Sequence, residues 1–347
     1  MRAILFDDVG LISFGDYPEP SVQDPGDAVI KITTAAICGS DLHLLHGKIP
    51  GLRPGSVIGH EFVGIVESVG AGVKRFKAGD RVVGSFMIAC GACWACERGD
   101  YNLCEDMWVL GYGMFVGDLD GAQAEYVRIP KADLNLHAID PGMTDEQAIF
   151  AGDILSTAGY ITSRAEIQEG DTVAITGAGP VGLFSLMHAM TYNPSRVYVV
   201  DQAEDRLKLA ESLGATPIDM TKVNPVVALQ RETGERGVDV VIEAVGATPA
   251  LTTALNAVRP GGTVAVIGVY TDLSWDFPLG EVFRRAIRLE FGGSANVQGH
   301  WTRSLQLVQQ GVIDPTVIIT HTLPLDEGLR GYELFESREA LKVVLKP

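Results

Sequence analysis

The sequence is poor in basic residues: 27 lysines and arginines stand against 44 aspartates and glutamates, which gives a formal net charge of −17. Binding to a nucleic-acid backbone or to an anionic membrane surface depends on a basic face, which this composition does not favour. The sequence therefore argues against nucleic acid and against a membrane as the main partner.

The sequence also lacks a long uninterrupted apolar run. The longest apolar stretch, from Val173 to Met190, is broken by Gly177, Gly179, Pro180 and Gly182, and is better explained as a strand, a turn and a helix than as a membrane span. The N-terminal segment MRAILFDDVG has two aspartates where a signal peptide needs an apolar core. We therefore expect a cytoplasmic protein.

Cysteine is scarce, with five residues among 347. In a cytoplasmic protein these cysteines are expected to be reduced, which favours metal binding or catalysis over disulfides. Glycine, by contrast, is abundant at 40 residues. Such an excess indicates many turns and close approaches of the backbone.

Two regions of different pattern divide the chain, whose length exceeds the usual size of one domain. In the first third, short extended runs such as Phe62–Val69 and Glu125–Ile129 are separated by glycine and proline turns, which predicts a β-rich, barrel-like domain. From about residue 155, strand-like runs such as Thr172–Thr176 alternate with helical segments, which predicts βαβ units. We therefore expect an α/β protein with a doubly wound parallel sheet and a separate β-rich domain.

A glycine-rich motif, GAGPVG, follows an apolar strand-like run and opens a helical one. In it, Gly177 permits a tight turn, Gly179 lets a pyrophosphate approach the backbone, and Gly182 lets the helix pack on the strand. The helix starts around Pro180 and Val181, where free backbone N–H groups face the phosphates. The motif predicts a dinucleotide site, with a structural glycine turn as the alternative.

A second predicted strand ends at Asp201, 19 residues beyond Gly182. A carboxylate at this place accepts hydrogen bonds from the hydroxyls of the adenosine ribose. It would repel the 2′-phosphate of NADP, and the next residue is Gln202 rather than a basic one. The pattern therefore predicts NAD as the cofactor in preference to NADP.

Four of the cysteines fall in the segment CGACWACERGDYNLC, as Cys90, Cys93, Cys96 and Cys104. The two-residue gaps let a tight loop point successive sulfurs at one centre, and four thiolates complete the tetrahedron of Zn²⁺. Because such a site leaves no position for a substrate, the predicted zinc is structural. An iron–sulfur cluster would need a different last spacing. A nucleic-acid zinc finger would need histidines and basic surroundings.

The fifth cysteine, Cys38, lies in the segment ICGSDLH, and His60 lies in a GHE motif. Taken alone, Cys38 is explained as a small core residue and His60 as a structural histidine. However, both stand beside glycines and polar groups in the same β-rich region as the four-cysteine loop. Together with that loop and GAGPVG, these motifs give the chain a resemblance to the zinc-dependent alcohol dehydrogenases of the medium-chain dehydrogenase/reductase superfamily. The order and spacing of the motifs match over nearly the whole chain.

The resemblance implies a GroES-like catalytic domain over residues 1–154 and 291–347, and an NAD-binding Rossmann domain over residues 155–290. It also implies a catalytic zinc held by Cys38, His60 and a third residue at the domain junction. Many members of the family have cysteine there, whereas this sequence has Asp153, as some bacterial and archaeal members do. One thiolate and one carboxylate balance the charge of Zn²⁺ and leave it Lewis-acidic toward an alcohol.

The resemblance further assigns proton transfer to Ser40 and His43, from the alcohol hydroxyl through the nicotinamide ribose. It implies that Glu61 enters the metal shell during ligand exchange and that Asp41 orients the ring of His60. The alternative for Glu61 and Asp41 is a role as ordinary buried hydrogen-bond partners.

Three further cofactor contacts are implied: Thr157 against the nicotinamide, Val269, and Lys342 facing the pyrophosphate. A solvated surface lysine is the alternative for Lys342. Trp108 and Tyr112 are candidates for the substrate wall, although a tryptophan is more often a core residue. An apolar wall would favour aliphatic or aromatic alcohols.

The predicted activity is reversible hydride transfer between a primary or secondary alcohol and NAD, which gives an aldehyde or a ketone. The enzyme alternatives are polyol, threonine and formaldehyde dehydrogenases of the same superfamily. The non-enzyme alternative is a catalytically retired nucleotide-binding protein, which the complete set of catalytic residues disfavours. The resemblance also implies a homo-oligomer, a tetramer rather than a dimer.

Overall fold

The computed structural model describes residues 1–272 and 274–347, and the chain divides into two compact units. The first unit comprises residues 1–156 and 296–347, and the second comprises residues 157–295. The sequence predicted 1–154 with 291–347 for the first domain and 155–290 for the second.

The described residues form strands and helices throughout both units. The strands are β1 Arg2–Asp8, β2 Leu11–Asp16, β3 Ala28–Ile37, β4 Ser56–Val57, β5 Glu61–Val69, β6 Arg81–Gly84, β7 Met87–Ile88, β8 Trp108–Val109, β9 Tyr126–Ile129, β10 Leu136–Ala138, β11 Thr172–Thr176, β12 Arg196–Asp201, β13 Thr216–Asp219, β14 Val238–Glu243, β15 Val258–Val266, β16 Arg288–Phe291, β17 His321–Pro324 and β18 Val343–Lys346. The α-helices are α1 Gly39–Leu45, α2 Trp94–Glu97, α3 Ala132–Asn135, α4 Asp145–Ala148, α5 Ile154–Arg164, α6 Pro180–Met190, α7 Glu204–Ser212, α8 Pro225–Glu232, α9 Thr248–Ala257, α10 Leu279–Arg284, α11 Val297–Gln309 and α12 Gly328–Glu336. Short 3-10 helices cover Tyr101–Leu103, Met114–Val116, Ile149–Gly152, Pro315–Ile318 and Leu325–Glu327.

The first unit is built on β-sheets, as predicted. Its main sheet has the order β10-β6-β5-β3-β18-β17, with β9 also paired to β3, and a smaller sheet has the order β2-β1-β4. Strand β3 is almost continuously buried, because its two faces are both covered. The antiparallel pairing of β18 with β3, Val343 opposite Ile37, brings the C-terminal apolar run into this unit.

The second unit contains the predicted parallel sheet. Its order is β13-β12-β11-β14-β15-β16, and neighbouring strands are in parallel register, for example Ile175 opposite both Val199 and Ile242. All six residues of β14 are buried, as expected for a strand covered on both faces. The order of the strands reverses between β11 and β14. Open sheets of this kind bind ligands at such a switch point, beyond the carboxyl ends of the strands.

Among the described helices, none is both long enough and apolar enough to cross a membrane.

Candidate active site and metal centres

Three side chains of the first unit converge where β3 and a 3-10 helix end and β5 begins. Cys38 follows β3 and caps the N-terminus of α1, His60 directly precedes β5, and Asp153 follows the 3-10 helix Ile149–Gly152. Oδ2 of Asp153 lies 3.6 Å from Sγ of Cys38 and 3.3 Å from Nε2 of His60. The three candidate ligand atoms lie within 4.8 Å of one another.

The chemistry of these three groups fits a divalent cation. All three side chains are buried, and burial together with Asp153 raises the pKa of Cys38. Burial alone would lower the pKa of His60, but the charge of Asp41 and the hydrogen bond to Asp153 raise it well above its ordinary value. Both shifts favour the protonated forms of Cys38 and His60, and a divalent cation would displace these protons when it binds. One sulfur, one imidazole nitrogen and one carboxylate oxygen are a donor set that suits catalytic zinc.

Asp41 lies directly behind two of these groups. Its Oδ2 accepts a hydrogen bond of 3.0 Å from the backbone N–H of Cys38, and its Oδ1 lies 3.1 Å from Nδ1 of His60. Neither Oδ1 of Asp41 nor Nδ1 of His60 has another partner among the described residues. This contact directs Nδ1 toward Asp41 and leaves Nε2 facing Asp153, which is the orientation that metal ligation requires.

Ser40 and His43 lie on α1, three residues apart and therefore on one face of the helix. Oγ of Ser40 is 3.4 Å from Sγ of Cys38 and 3.4 Å from Nε2 of His60. His43 is half-buried, and burial together with the positive charges of Lys48 and His46 lowers its pKa. Ser40 is thus adjacent to the ligand atoms, and His43 is favoured in its neutral form.

Glu61 and Lys342 form an ion pair beside the metal site. Nζ of Lys342 donates to Oε2 of Glu61, and both side chains are fully buried, so Lys342 is not a surface lysine. Burial raises the pKa of Glu61 to about 7, although Lys342 acts in the opposite direction. Oε1 of Glu61 has no hydrogen-bond partner in the described part of the chain. The predicted contact of Lys342 with a pyrophosphate stays a prediction.

Two aromatic rings lie against the imidazole of His60. The ring centroids of Tyr112 and Phe86 are 5.5 Å and 6.0 Å from that of His60, both in edge-on geometry. Tyr112 is one of the two residues predicted for a substrate wall, and that role stays a prediction. Trp108 instead packs against the core of the first unit, and its Nε1 donates to Asp106. Phe86 was not predicted, because nothing in its local sequence distinguishes it from a core phenylalanine.

The four-cysteine loop is also assembled in the first unit. The sulfurs of Cys90, Cys93, Cys96 and Cys104 lie within 4.8 Å of one another, and all four are free thiols. The distance from Cys90 to Cys96 and that from Cys93 to Cys104 are both 3.9 Å. A tetrahedron with Zn–S bonds of about 2.3 Å separates its sulfurs by about 3.8 Å, so the loop fits zinc. Backbone N–H groups of Cys96 and Glu105 lower the pKa of Cys93 to about 6, which favours its thiolate.

The glycine-rich motif lies in the second unit, between β11 and α6. Gly177 has a φ of +93°, a backbone conformation that disfavours other residues, and it produces the tight turn. A Cβ on Gly182 would lie 1.9 Å from the carbonyl oxygen of Gly177, so only glycine lets the helix approach the turn. Helix α6 begins at Pro180 and Val181, with Gly179 as its N-cap. These positions leave the backbone N–H groups of the first turn available for phosphate oxygens.

Asp201 ends β12 next to this turn. Its Oδ2 accepts from the backbone N–H of Ala178 at 2.6 Å, and its Oδ1 accepts from those of Gln202 and Ala203. A cavity of about 260 Å³ opens at this edge of the sheet. Its lining includes Gly177, Asp201, Gln202, Val245, Ala247 and Pro249. Its place at the carboxyl ends of the strands, by the switch point, is that of a nucleotide pocket.

Two other predicted cofactor contacts also lie in the second unit. Thr157 is buried on α5, and Val269 is half exposed beyond the end of β15. The backbone of Val269 packs so closely on Gly246 that a Cβ on the glycine would lie 2.3 Å from the carbonyl oxygen of Val269. Their contacts with a cofactor stay predictions.

Comparison with known proteins gives matches over both units. Residues 24–140 match the alcohol dehydrogenase GroES-like domain, and residues 180–310 match the zinc-binding dehydrogenase family. The chain is 35% identical to an uncharacterized zinc-type alcohol dehydrogenase-like protein, AdhB, of Bacillus subtilis (strain 168), with 100% of each chain covered.

Solved structures give the same result. Alcohol dehydrogenase TADH from Thermus sp. ATN1 is similar with a TM-score of 0.96 and 46% identity, covering 100% of this chain and 99% of that one. A protein of Sinorhizobium meliloti 1021 described as a zinc-binding dehydrogenase, solved with NADP bound, is similar with a TM-score of 0.87 and 28% identity, covering 100% and 99%.

Proposed function

This chain belongs to the zinc-type alcohol dehydrogenases of the medium-chain dehydrogenase/reductase superfamily, and from that membership we propose that it oxidises a primary or secondary alcohol reversibly with NAD. The observation that carries the proposal is the contact of Cys38, His60 and Asp153 in one buried cluster. The product would be an aldehyde or a ketone, and bound NAD would supply the hydride acceptor.

Two groups of residues would hold zinc. Cys38, His60 and Asp153 would hold the catalytic ion, and the four cysteines at 90, 93, 96 and 104 would hold the structural one. When bound, the catalytic ion supplies a Lewis acid that lowers the pKa of a hydroxyl in its open position. The structural site has no such position, because four thiolates fill the tetrahedron.

The protein's own contribution to proton transfer begins at Ser40. Its Oγ lies 3.4 Å from two of the ligand atoms, where it is able to accept the proton of an incoming hydroxyl. The family resemblance implies that His43 would take up the proton next, and a ribose hydroxyl of a bound cofactor would connect it to Ser40. The lowered pKa of His43 suits this task, because a neutral imidazole is ready to take up a proton near pH 7.

The preference for NAD over NADP is assigned to Asp201. Three backbone N–H groups hold its carboxylate at the edge of the nucleotide cavity, so the charge is fixed in place. A fixed carboxylate binds ribose hydroxyls and repels a 2′-phosphate. The Sinorhizobium meliloti relative holds NADP, so cofactor choice varies among similar structures and has to be argued from this chain's own residues.

An apolar alcohol is the proposed class of substrate. The rings of Tyr112 and Phe86 flank His60, and the one hydroxyl they carry, on Tyr112, interacts with Ser40. They therefore do not offer the several hydrogen-bonding groups that a polyol needs. We therefore expect aliphatic or aromatic alcohols to be better substrates than sorbitol or threonine. A homo-oligomer, most simply a tetramer, is proposed from the family resemblance and is tested by light scattering.

The experiment is a panel of alcohols assayed with NAD and with NADP by absorbance of the reduced cofactor. We expect benzyl alcohol or butanol with NAD to give a kcat/KM at least tenfold above that of sorbitol or threonine. A preference for sorbitol or threonine would refute the proposed substrate class, and a preference for NADP would refute the role of Asp201. If no alcohol or carbonyl compound reacts, the proposed activity itself is wrong.

A further inference from the structure

A buried tyrosine of the C-terminal segment is connected by hydrogen bonds to the catalytic metal site. Tyr332 lies on α12, and its hydroxyl is 2.9 Å from Oε1 of Gln123. Nε2 of Gln123 is in turn 3.1 Å from Oδ2 of Asp41 and 3.3 Å from the carbonyl oxygen of Ala36. Tyr332, Gln123 and Asp41 are all buried, so water does not compete for these bonds.

The direction of these hydrogen bonds is fixed by chemistry. A glutamine amide offers donors at its nitrogen and acceptor lone pairs at its oxygen. The carbonyl of Ala36 and the carboxylate of Asp41 only accept, so the nitrogen of Gln123 has to face them. The oxygen of Gln123 then faces Tyr332, whose hydroxyl has to donate. Ala36 and Asp41 thus fix the orientation of the amide, and the hydroxyl of Tyr332 holds the Gln123 side chain in place by donating to its oxygen.

The orientation of Asp41 in turn affects two candidate ligands, Cys38 and His60. Its Oδ2 accepts from Gln123 and from the backbone N–H of Cys38, and its Oδ1 faces Nδ1 of His60 at 3.1 Å. With Oδ2 occupied by two donors, Oδ1 is directed at the imidazole. A proton on Nδ1 then leaves the lone pair of Nε2 for the metal.

The packing around Gln123 shows that its position is closely defined. A Cβ on Gly59 would lie 2.3 Å from Cγ of Gln123, so the glycine of the GHE motif makes room for this side chain. Gly59 also has a φ of +88°, which favours glycine independently. The residue before His60 is therefore shaped to admit Gln123.

We propose that Tyr332 and Gln123 are positioning residues of the catalytic metal site, which hold Asp41 in the orientation that fixes Cys38 and His60. Neither side chain belongs to the candidate ligand group of Cys38, His60 and Asp153. The proposal rests on the metal-binding part of the proposed function alone, so that its test needs neither alcohol nor cofactor.

The test is the affinity of the catalytic site for Co²⁺, measured by competition with a chromophoric chelator while the structural zinc is retained. We expect Tyr332→Phe to weaken Co²⁺ binding about tenfold, within the range known for residues that support metal ligands, and to alter the Co²⁺ absorption bands. Tyr17→Phe is the matched control, since it removes a hydroxyl that binds Asp120 instead. Equal affinity of Tyr332→Phe and the wild type would overturn the proposal.

A second variant and a double mutant separate positioning from general packing. Gln123→Met is similar in size and removes both the donor to Asp41 and the acceptor for Tyr332, so it should weaken Co²⁺ binding more than Tyr332→Phe does. In an Asp41→Asn background, Tyr332→Phe should change the affinity less than about twofold, because its route to the ligands is already broken. Undiminished weakening there, or an unaffected Gln123→Met variant, would overturn the proposal. A wild-type protein without Co²⁺ at this site would overturn the proposed function as well.

Discussion

The ammonium group of Lys342 is bound to the carboxylate of Glu61, and both side chains are fully buried. Lys342 directly precedes β18, whose Val343 lies opposite Ile37 of β3. Glu61 begins β5 and follows His60 in the chain. The pair therefore connects the last strand of the protein to the residue beside a candidate zinc ligand.

Removing Lys342 should destabilise the protein strongly, because it leaves a carboxyl group buried without its cation. For Lys342→Met we expect a loss of about 3 kcal/mol in the free energy of unfolding, at the lower end of the range for broken buried pairs. The expected loss is at the lower end of this range because Glu61, whose pKa is raised to about 7, is able to take up a proton. Urea unfolding at pH 8 measures it.

The controls for this prediction use a second lysine and a double variant. Lys77→Met breaks an exposed pair with Asp80, and should cost less than 1 kcal/mol. Combining Lys342→Met with Glu61→Gln should recover part of the stability, since the buried charge is then gone. If Lys342→Met were no less stable than Lys77→Met, the ion pair would not support the fold as described.

His43 should titrate below its ordinary pKa of about 6.5. Burial first, and then the charges of Lys48 and His46, disfavour its protonated form. His43 is therefore protonated less readily in the folded state than in the unfolded chain. The free energy of unfolding consequently decreases as the pH falls below about 6.5. An NMR titration of the imidazole, assigned with His43→Gln, should give an inflection below 6.5, and Lys48→Met should raise it. An inflection at or above 6.5 in the wild type would contradict the proposed environment.

Asp201 should control the choice between the two nicotinamide cofactors. Asp201→Gly removes the acceptor for the ribose hydroxyls and should weaken NAD binding about 10- to 100-fold, the value of one or two charge-assisted hydrogen bonds. It should also relax the rejection of NADP. Asp201→Asn, which keeps an acceptor oxygen but loses the charge, should retain more NAD affinity while it also tolerates NADP. Kd values from fluorescence titration test this, and an unchanged NAD affinity in Asp201→Gly would refute the assignment.

The parts of the site that could be predicted from spacing alone are those whose residues lie close together in the chain. Cys90, Cys93 and Cys96 are spaced by a single loop, and GAGPVG is one turn, so local spacing was sufficient. Asp153 lies 115 residues from Cys38 and could be assigned only through the family resemblance.

The contacts that support the metal site are not indicated by any local pattern in the sequence. Tyr332 and Gln123 are 209 residues apart, and Lys342 and Glu61 are 281 apart. Their meeting depends on how the C-terminal segment pairs with β3, which periodicity within one segment does not specify. Phe86 was missed for a related reason, because its N–H bonds to Gly152, in the 3-10 helix before Asp153, over a long sequence separation.

Cys38, His60 and Asp153 are proposed to hold a catalytic zinc separate from that of the four-cysteine loop. The direct measurement is the zinc content per chain of the wild type and of Asp153→Ala, with Cys104→Ser as the matched control in the other site. We expect two ions in the wild type and one in each variant, with alcohol oxidation abolished in Asp153→Ala. If Asp153→Ala kept two zinc ions and full activity, the assignment of the catalytic site would be wrong.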